Sequence, residues 1–217
     1  MLAAVPAQAQ GTFQNLNFEW ANPVISPGAP FYHATAASAL PYWTAALGGV
    51  EQTQVLYNGG SGGAPEVVLL GPPPPTAPFN PIDGYYSVLL TGSASASIPS
   101  ISQTGLIPAG TQSLLFEAES GPGNGILEVQ IGTQTIAFAP LATEPNYTVY
   151  GASISAWAGQ REQLTFTALQ DNTALNNWEI DDISFSTQAV PEPSPLALTG
   201  VGALLFALYR HFAPKRP

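Results

Sequence analysis

Carboxylates are the groups in this sequence best placed to do chemistry, and the run that stands out is Trp178-Glu179-Ile180-Asp181-Asp182-Ile183-Ser184-Phe185. Strand periodicity puts Asp181 on one face with Ile183 and Phe185, both core-type residues. A carboxylate turned inward is costly unless it is hydrogen-bonded, paired or bound to a metal. The chain has four basic residues against 14 acidic ones, and Arg210, Lys215 and Arg216 close it, leaving Arg161 as the only base of the body. Backbone donors or a metal are then the partners open to Asp181; the plainer alternative is an outward acidic pair, Asp181 and Asp182, on an edge strand. Glu117 and Glu119 lie two apart on one strand face, about 7 Å between residues, a spacing that would suit the two acids of a glycosidase. Such pairs normally come from different strands, so two solvent-facing glutamates are the simpler reading. Gly59-Gly60-Ser61-Gly62-Gly63 matches the string G-x-S-x-G, but it is a glycine loop entering Ala64-Pro65 rather than a strand, turn and helix. His33 precedes it, against the order a hydrolase needs, so no serine nucleophile is expected.

Aromatic rings are the second candidate chemistry, because their flat apolar faces stack on pyranose rings. Trp20, Trp157, Trp178, Tyr85 and Tyr86 are the candidates, each with an alternative role in the core, and Trp43 is expected inside. If Tyr85-Tyr86 belongs to a strand, one of its two rings must point outward.

Charge narrows the partners. Charged residues are 8% of the chain, against about 25% in ordinary domains. Thirteen carboxylates and one arginine precede the C-terminal tail, giving the body a net charge of about −12. Such a surface repels phosphate backbones, which excludes nucleic acid as a partner. Divalent cations and uncharged polymers suit it better. The absence of cysteine rules out thiol catalysis and Cys-ligated zinc.

The elements that must position these groups are strands. Leu114, Phe116 and Ala118 alternate with Leu115, Glu117 and Glu119; Leu127, Val129 and Ile131 with Glu128 and Gln130; Leu164, Phe166 and Ala168 with Thr165 and Thr167. Gly121–Gly125, Glu144-Pro145-Asn146 and Ala158-Gly159-Gln160 are turn chemistry. Further strands are expected near 54–57, 66–70 and 85–91. Long loops are expected over 22–41, 58–65 and 71–81, with the Pro72–Pro75 run as a stiff connection. Residues 10–187 are thus expected to form one all-β domain, an antiparallel β-sandwich most simply built as a jelly roll.

The two ends differ from the body. Residues 1–9 end in Ala7-Gln8-Ala9, a small-x-small cleavage pattern, and are expected to be the remnant of a longer signal peptide. Residues 188–217 form a tail: a proline-rich motif over 190–195, an uncharged apolar run over 196–209 and a basic end over 210–217. The apolar run makes a C-terminal transmembrane helix of roughly 21 Å, short of the ~30 Å hydrocarbon core, with its basic end cytoplasmic.

Pro191-Glu192-Pro193, the short apolar helix and the basic end together resemble the PEP-CTERM sorting signal. That resemblance implies processing by an exosortase and delivery through the cell envelope to the surface or an extracellular polysaccharide matrix. A second resemblance brackets the body. Asn15-Leu16-Asn17-Phe18-Glu19, then Pro41-Tyr42-Trp43-Thr44, then the closing Ile180-Asp181-Asp182-Ile183 are similar to carbohydrate-binding-module-like, galactose-binding-type jelly rolls. Leu16 stands where that pattern usually has glycine. The resemblance implies a structural calcium ion held by Glu19 with Asp181 or Asp182, and carbohydrate as the ligand. The expectation is a non-enzymatic, exported, polysaccharide-binding or matrix-interacting domain. The alternatives are a structural surface or adhesion protein without a soluble ligand, and a polysaccharide hydrolase.

Overall fold

The computed structural model describes residues 12–27, 32–59, 64–72, 80–92, 97–121, 125–169 and 176–190. The predicted signal remnant, the Pro191-Glu192-Pro193 motif, the apolar run and the basic end lie outside them, as do Ser61 and most of the proline run. Among the described residues no helix is long and apolar enough to cross a membrane.

In chain order the strands are β1 (Ile25–Pro27), β2 (Tyr32–Thr35), β3 (Thr44–Leu47), β4 (Val50–Glu51), β5 (Gln54–Tyr57), β6 (Glu66–Leu70), β7 (Ser87–Gly92) and β8 (Pro99–Leu106). They continue with β9 (Ser113–Ser120), β10 (Leu127–Ile131), β11 (Gln134–Thr135), β12 (Ala139–Thr143), β13 (Thr148–Ser153), β14 (Arg161–Ala168) and β15 (Asn176–Ser186). A single helical turn, α1 (Ala36–Ala39), follows β2.

These strands make two sheets. The larger has the order β1-β2-β5-β6-β7-β15-β9-β13-β12, and the smaller β11-β10-β14-β8-β3-β4. Alternation does the work expected of it: Val88, Leu90, Phe116, Ala118, Trp178 and Ile180 point from the larger sheet into a core shared with Ala45, Ile101, Val129, Ile131, Leu164 and Phe166 of the smaller. Phe116 meets Phe166 across the two sheets, edge to face, with ring centroids 5.2 Å apart.

The sandwich departs from expectation in two places. Among the described strands the pairing is antiparallel except between β5 and β6, which run parallel with Leu56 opposite Val68. On these strands the alternate residues Leu56, Val68, Leu70 and Leu89 form a second buried apolar cluster, so this part of the larger sheet is apolar on both faces, as parallel strands usually are. The stretch 22–41, expected as a loop, holds β1, β2 and α1; β2 is held by its register with β5, Tyr32 opposite Tyr57 and Thr35 opposite Gln54, a long-range pairing that four residues of local pattern do not announce.

Phe116 carries the junction of the sheets, touching Phe138, Tyr150 and Phe166. Phe116→Ala should lower unfolding free energy by about 3–5 kcal/mol in denaturant titrations. A loss under about 1 kcal/mol would mean that the sheets do not share this core.

Candidate functional site

The last strand, β15, lies between β7 and β9 in the larger sheet. Trp178 and Ile180 face the core, so Glu179 and Asp181 emerge on the opposite, outer face. Directly across on β9 are two more carboxylates, with Glu179 opposite Glu119 and Asp181 opposite Glu117. The next pair is Ser184 with Leu115, so Asp182 and Ile183 together oppose the single residue Phe116. This is a β-bulge, which inserts one residue and reverses the alternation beyond it. Asp182 absorbs the turn with φ 41°, a left-handed conformation that Asp tolerates better than most side chains. Ile183 therefore turns into the core although it stands two residues from Asp181. The expectation that Asp181 shares a face with Ile183 and Phe185 is corrected: Asp181 belongs with Glu179 on the outer face.

Two segments close over that face. Leu16 accepts a hydrogen bond from the Ile183 N–H at 3.0 Å, tying residues 15–20 to the bulge. Asn146 Nδ2 donates to the Ile82 carbonyl at 2.6 Å, and the Ile82 N–H donates to the Glu179 carboxylate, holding the segment 80–86 down. The two segments meet at Glu19, whose Oε1 accepts from the backbone N–H of Tyr85 at 2.7 Å and of Tyr86 at 3.0 Å. Gly84, with φ +57°, sits so close that a Cβ there would fall 2.3 Å from Glu19 Oε1. Only glycine fits.

Carboxylates converge at the edge of this cover. Exposed Asp83 and Asp182 and half-buried Glu117 bring oxygens within 4.8 Å of one another. Glu19 and Asp181 lie beside them, near enough that Glu19 and Asp83 both raise the Asp181 and Asp182 pKa values. Asp181 is only 1% exposed. Burial first, then the neighbouring Asp182, Glu19 and Asp83 charges, push its carboxyl up to about 9 against the lowering effect of the Asp182 N–H. Glu179 rises to about 7 through burial, opposed by the Ser87 hydroxyl, which donates to Oε1 at 2.5 Å. Glu117 is raised by burial and then by Asp182, although the Tyr147 hydroxyl hydrogen-bonds to it, and its Oε2 is buried with no hydrogen-bond partner. The body's one base, Arg161, opens β14 in the other sheet. Hard oxygen donors, an orphaned carboxylate oxygen and surplus negative charge fit a divalent cation of the calcium type.

The candidate rings are sorted by exposure. Trp178 is 7% exposed, its ring edge-on to Tyr150 in the core, so it offers no face to a ligand and its candidacy is withdrawn. Trp157 and Tyr86 are half-buried; Trp157 packs on the core in a turn after β13, and the Tyr86 ring lies against Gly71. Tyr85 is 70% and Trp20 57% exposed. Tyr85-Tyr86 precedes β7, so strand alternation does not govern it; the Glu19 carboxylate orients its backbone instead. Trp43 is buried as expected, with Phe18 against it at 5.5 Å.

Two residues of the site were missed in the sequence, and a third was read in another role. Asp83 and Glu117 complete the carboxylate group, although strand spacing alone pairs Glu117 with Glu119 as two candidate acids rather than with Asp182, and Tyr42 is an exposed ring edge-on to Trp20, their centroids 5.8 Å apart. Asp83-Gly84 has a turn signature that could have marked a loop. Nothing local links Glu117 to Asp181, 64 positions away in the chain.

No protein-family model matches this chain, and no curated protein is similar to it. Among solved structures it is similar to the enzymatically active domain of bacteriophage CBA120 tailspike protein 4, at 11% identity and a TM-score of 0.41, over 81% of this chain and 21% of that one. It thus spans about a fifth of the tailspike domain's length. It is also similar to the family 11 carbohydrate-binding module of Clostridium thermocellum, solved with a β-1,3-1,4-mixed-linked tetrasaccharide, at 10% identity and a TM-score of 0.35, over 70% of this chain and 92% of that one. The site is therefore assigned from its own geometry.

The raised carboxyls carry a pH signature. Asp181 and Glu179 have folded-state values near 9 and near 7, above their unfolded values of about 4. Between those limits the folded state holds more protons than the unfolded chain, so stability falls as pH rises. In chelator-treated protein the melting midpoint should drop from pH 5 to pH 8, and D181N should flatten the slope. A midpoint that climbs over this range in both proteins would contradict the burial of these groups.

Proposed function

We propose that this chain is an exported, non-catalytic polysaccharide-binding domain whose ligand-bearing loops are pinned by a structural calcium ion. The observation that carries the binding role is the placement of exposed rings on rigid loops. Trp20 follows Glu19 in the chain, and the Glu19 carboxylate accepts from the backbone N–H of exposed Tyr85. Two solvent-facing rings thus flank one anchored carboxylate, which suits shallow stacking on a polymer. The polar hollow between Glu119 and the Glu144–Tyr147 turn has a volume of about 170 Å³, below the ~300–1,000 Å³ usual for an enclosed small-molecule site.

In this reading Asp83, Glu117 and Asp182 hold the calcium, with Glu19 and Asp181 beside it. The ion neutralises the converging carboxylates and ties loop 80–86 to the bulge, leaving the strands unchanged. Glu179 and Asp181 are shut away from solvent, which favours a supporting role over acid–base catalysis on a bound chain. The resemblance of the tail to a sorting signal supports the location: exosortase processing near Pro191-Glu192-Pro193 would release the body to the cell surface or an extracellular matrix.

Two measurements test this. With calcium at about 100 times its dissociation constant the protein should gain ~2.7 kcal/mol, or about 5–10 °C in melting midpoint for a domain of this size, and EDTA should reverse the gain. An unchanged midpoint removes the ion from the account. Affinity electrophoresis through gels containing soluble polysaccharides should show retardation, weakened about tenfold in W20A and in Y85A, equivalent to ~1.4 kcal/mol each. Migration unaffected by every polysaccharide would leave a structural surface protein as the better reading.

A further inference from the structure

We infer that Tyr42 is held in a strained turn for the sake of its ring, and that with Trp20 it forms an angled clamp for an uncharged polysaccharide chain; this rests on the polysaccharide-binding reading above. The turn runs from Leu40 to Trp43 and is closed by the Trp43 N–H donating to the Leu40 carbonyl at 3.0 Å. Pro41 occupies its second position and Tyr42, with φ 72°, its third. That is the pattern of a type II turn, whose third position calls for glycine or asparagine. A bulky ring at positive φ is a true outlier, and such strain persists only where the surroundings over-determine it.

The surroundings here do so. Leu40 is fully buried, and Trp43 is buried with Nε1–H donating to the Asn15 carbonyl at 2.9 Å. Asn15 then fastens both ring-bearing backbones: its Nδ2 donates to the Pro41 carbonyl at 3.2 Å, and its Oδ1 accepts from the Trp20 N–H at 2.9 Å. The backbone at position 42 is thus set by its neighbours, and glycine would meet it without strain. The tyrosine ring does not repay the strain through burial. It is 59% exposed, and its ring contact is the edge of Trp20 at 70°.

Two exposed rings whose planes meet at 70° can offer a floor and a wall to one sugar, and the bonds of Asn15 and Trp43 fix the backbones that carry them without a ligand. Charge selects the class of sugar. Glu19 precedes Trp20, and Asp83 and Asp182 lie in the same cluster, while the one base of the body is in the smaller sheet. With calcium on the cluster, Glu19 and the body's net charge of about −12 still leave these surroundings acidic, so uronate and sulfate groups would be repelled there, whereas hydroxyl-only hexose polymers meet no charge penalty.

The decisive variant is Tyr42→Gly, because the two roles predict opposite signs. Gel retardation with laminarin (a neutral glucan) and hyaluronan (a uronate-bearing polymer) is read alongside thermal melting, both with calcium present. Expected are retardation of the parent protein by laminarin only, loss of about tenfold or more of that affinity in Y42G, and a Y42G midpoint equal to or a few degrees above the parent's. Y42F keeps the ring and should bind as the parent does. A Y42G protein that binds laminarin normally, or that melts well below the parent, overturns the role of the ring. Retardation by hyaluronan in preference to laminarin overturns the assigned class while leaving polysaccharide binding intact. A parent protein retarded by neither polymer overturns the underlying reading itself.

Discussion

One extra residue in the last strand sets the terms for the rest of the molecule. Without the bulge at Asp182–Ile183, alternation would carry Ile183 to the outer face and leave the end of β15 with the wrong side turned to the core. With it, Ile183 and Phe185 pack inward while Glu179 and Asp181 stay on the outer face opposite Glu119 and Glu117. Four carboxylates then share two adjacent strands, an arrangement that repels itself unless protons or a cation intervene. The segments 15–20 and 80–86 make that repulsion more acute by covering the face, since removing water raises the cost of every unbalanced charge.

The same cover carries the exposed rings. Strands of the larger sheet give their rings to the core, as Phe116, Tyr150 and Trp178 show. Rings that face solvent sit on the connections instead, where backbone hydrogen bonds hold them: Glu19 to Tyr85, Asn15 to Trp20 and to Pro41 beside Tyr42. Among the described residues, four of the five non-glycine positions with positive φ, Asn15, Phe18, Tyr42 and Asp182, belong to the ring-bearing connections and the bulge. A left-handed residue costs about 1–2 kcal/mol, so this concentration of strain marks the region as shaped by something other than stability.

Much of the scaffold was legible in the chain. Period-two alternation located β9, β10, β14 and β15, and turn residues located their ends, because a strand with one face on a core writes its direction into every second residue. The 54–57 and 66–70 segments matched β5 and β6. The parallel pairing of those two strands was not legible, nor was β2, whose place depends on a distant partner. The resemblance had set Glu19 beside Asp181 and Asp182, and the structure does bring these three together; Trp20 and Tyr85, singled out for their rings, are exposed. Asp83 and Tyr42 were not singled out, Glu117 was paired with Glu119 rather than with Asp182, and Trp178 was placed on the wrong side.

By itself, then, the sequence determined the class of fold, the acidity of the body, the lack of any cysteine thiol, and the candidate groups. These follow from composition and local period, which need no knowledge of neighbours. The tertiary structure alone decided which face Asp181 occupies, which carboxylates meet and which rings remain outside. Each of those depends on register: a single inserted residue reverses a strand's two faces, and a cross-strand pair such as Glu117 and Asp181 joins positions that no local pattern relates.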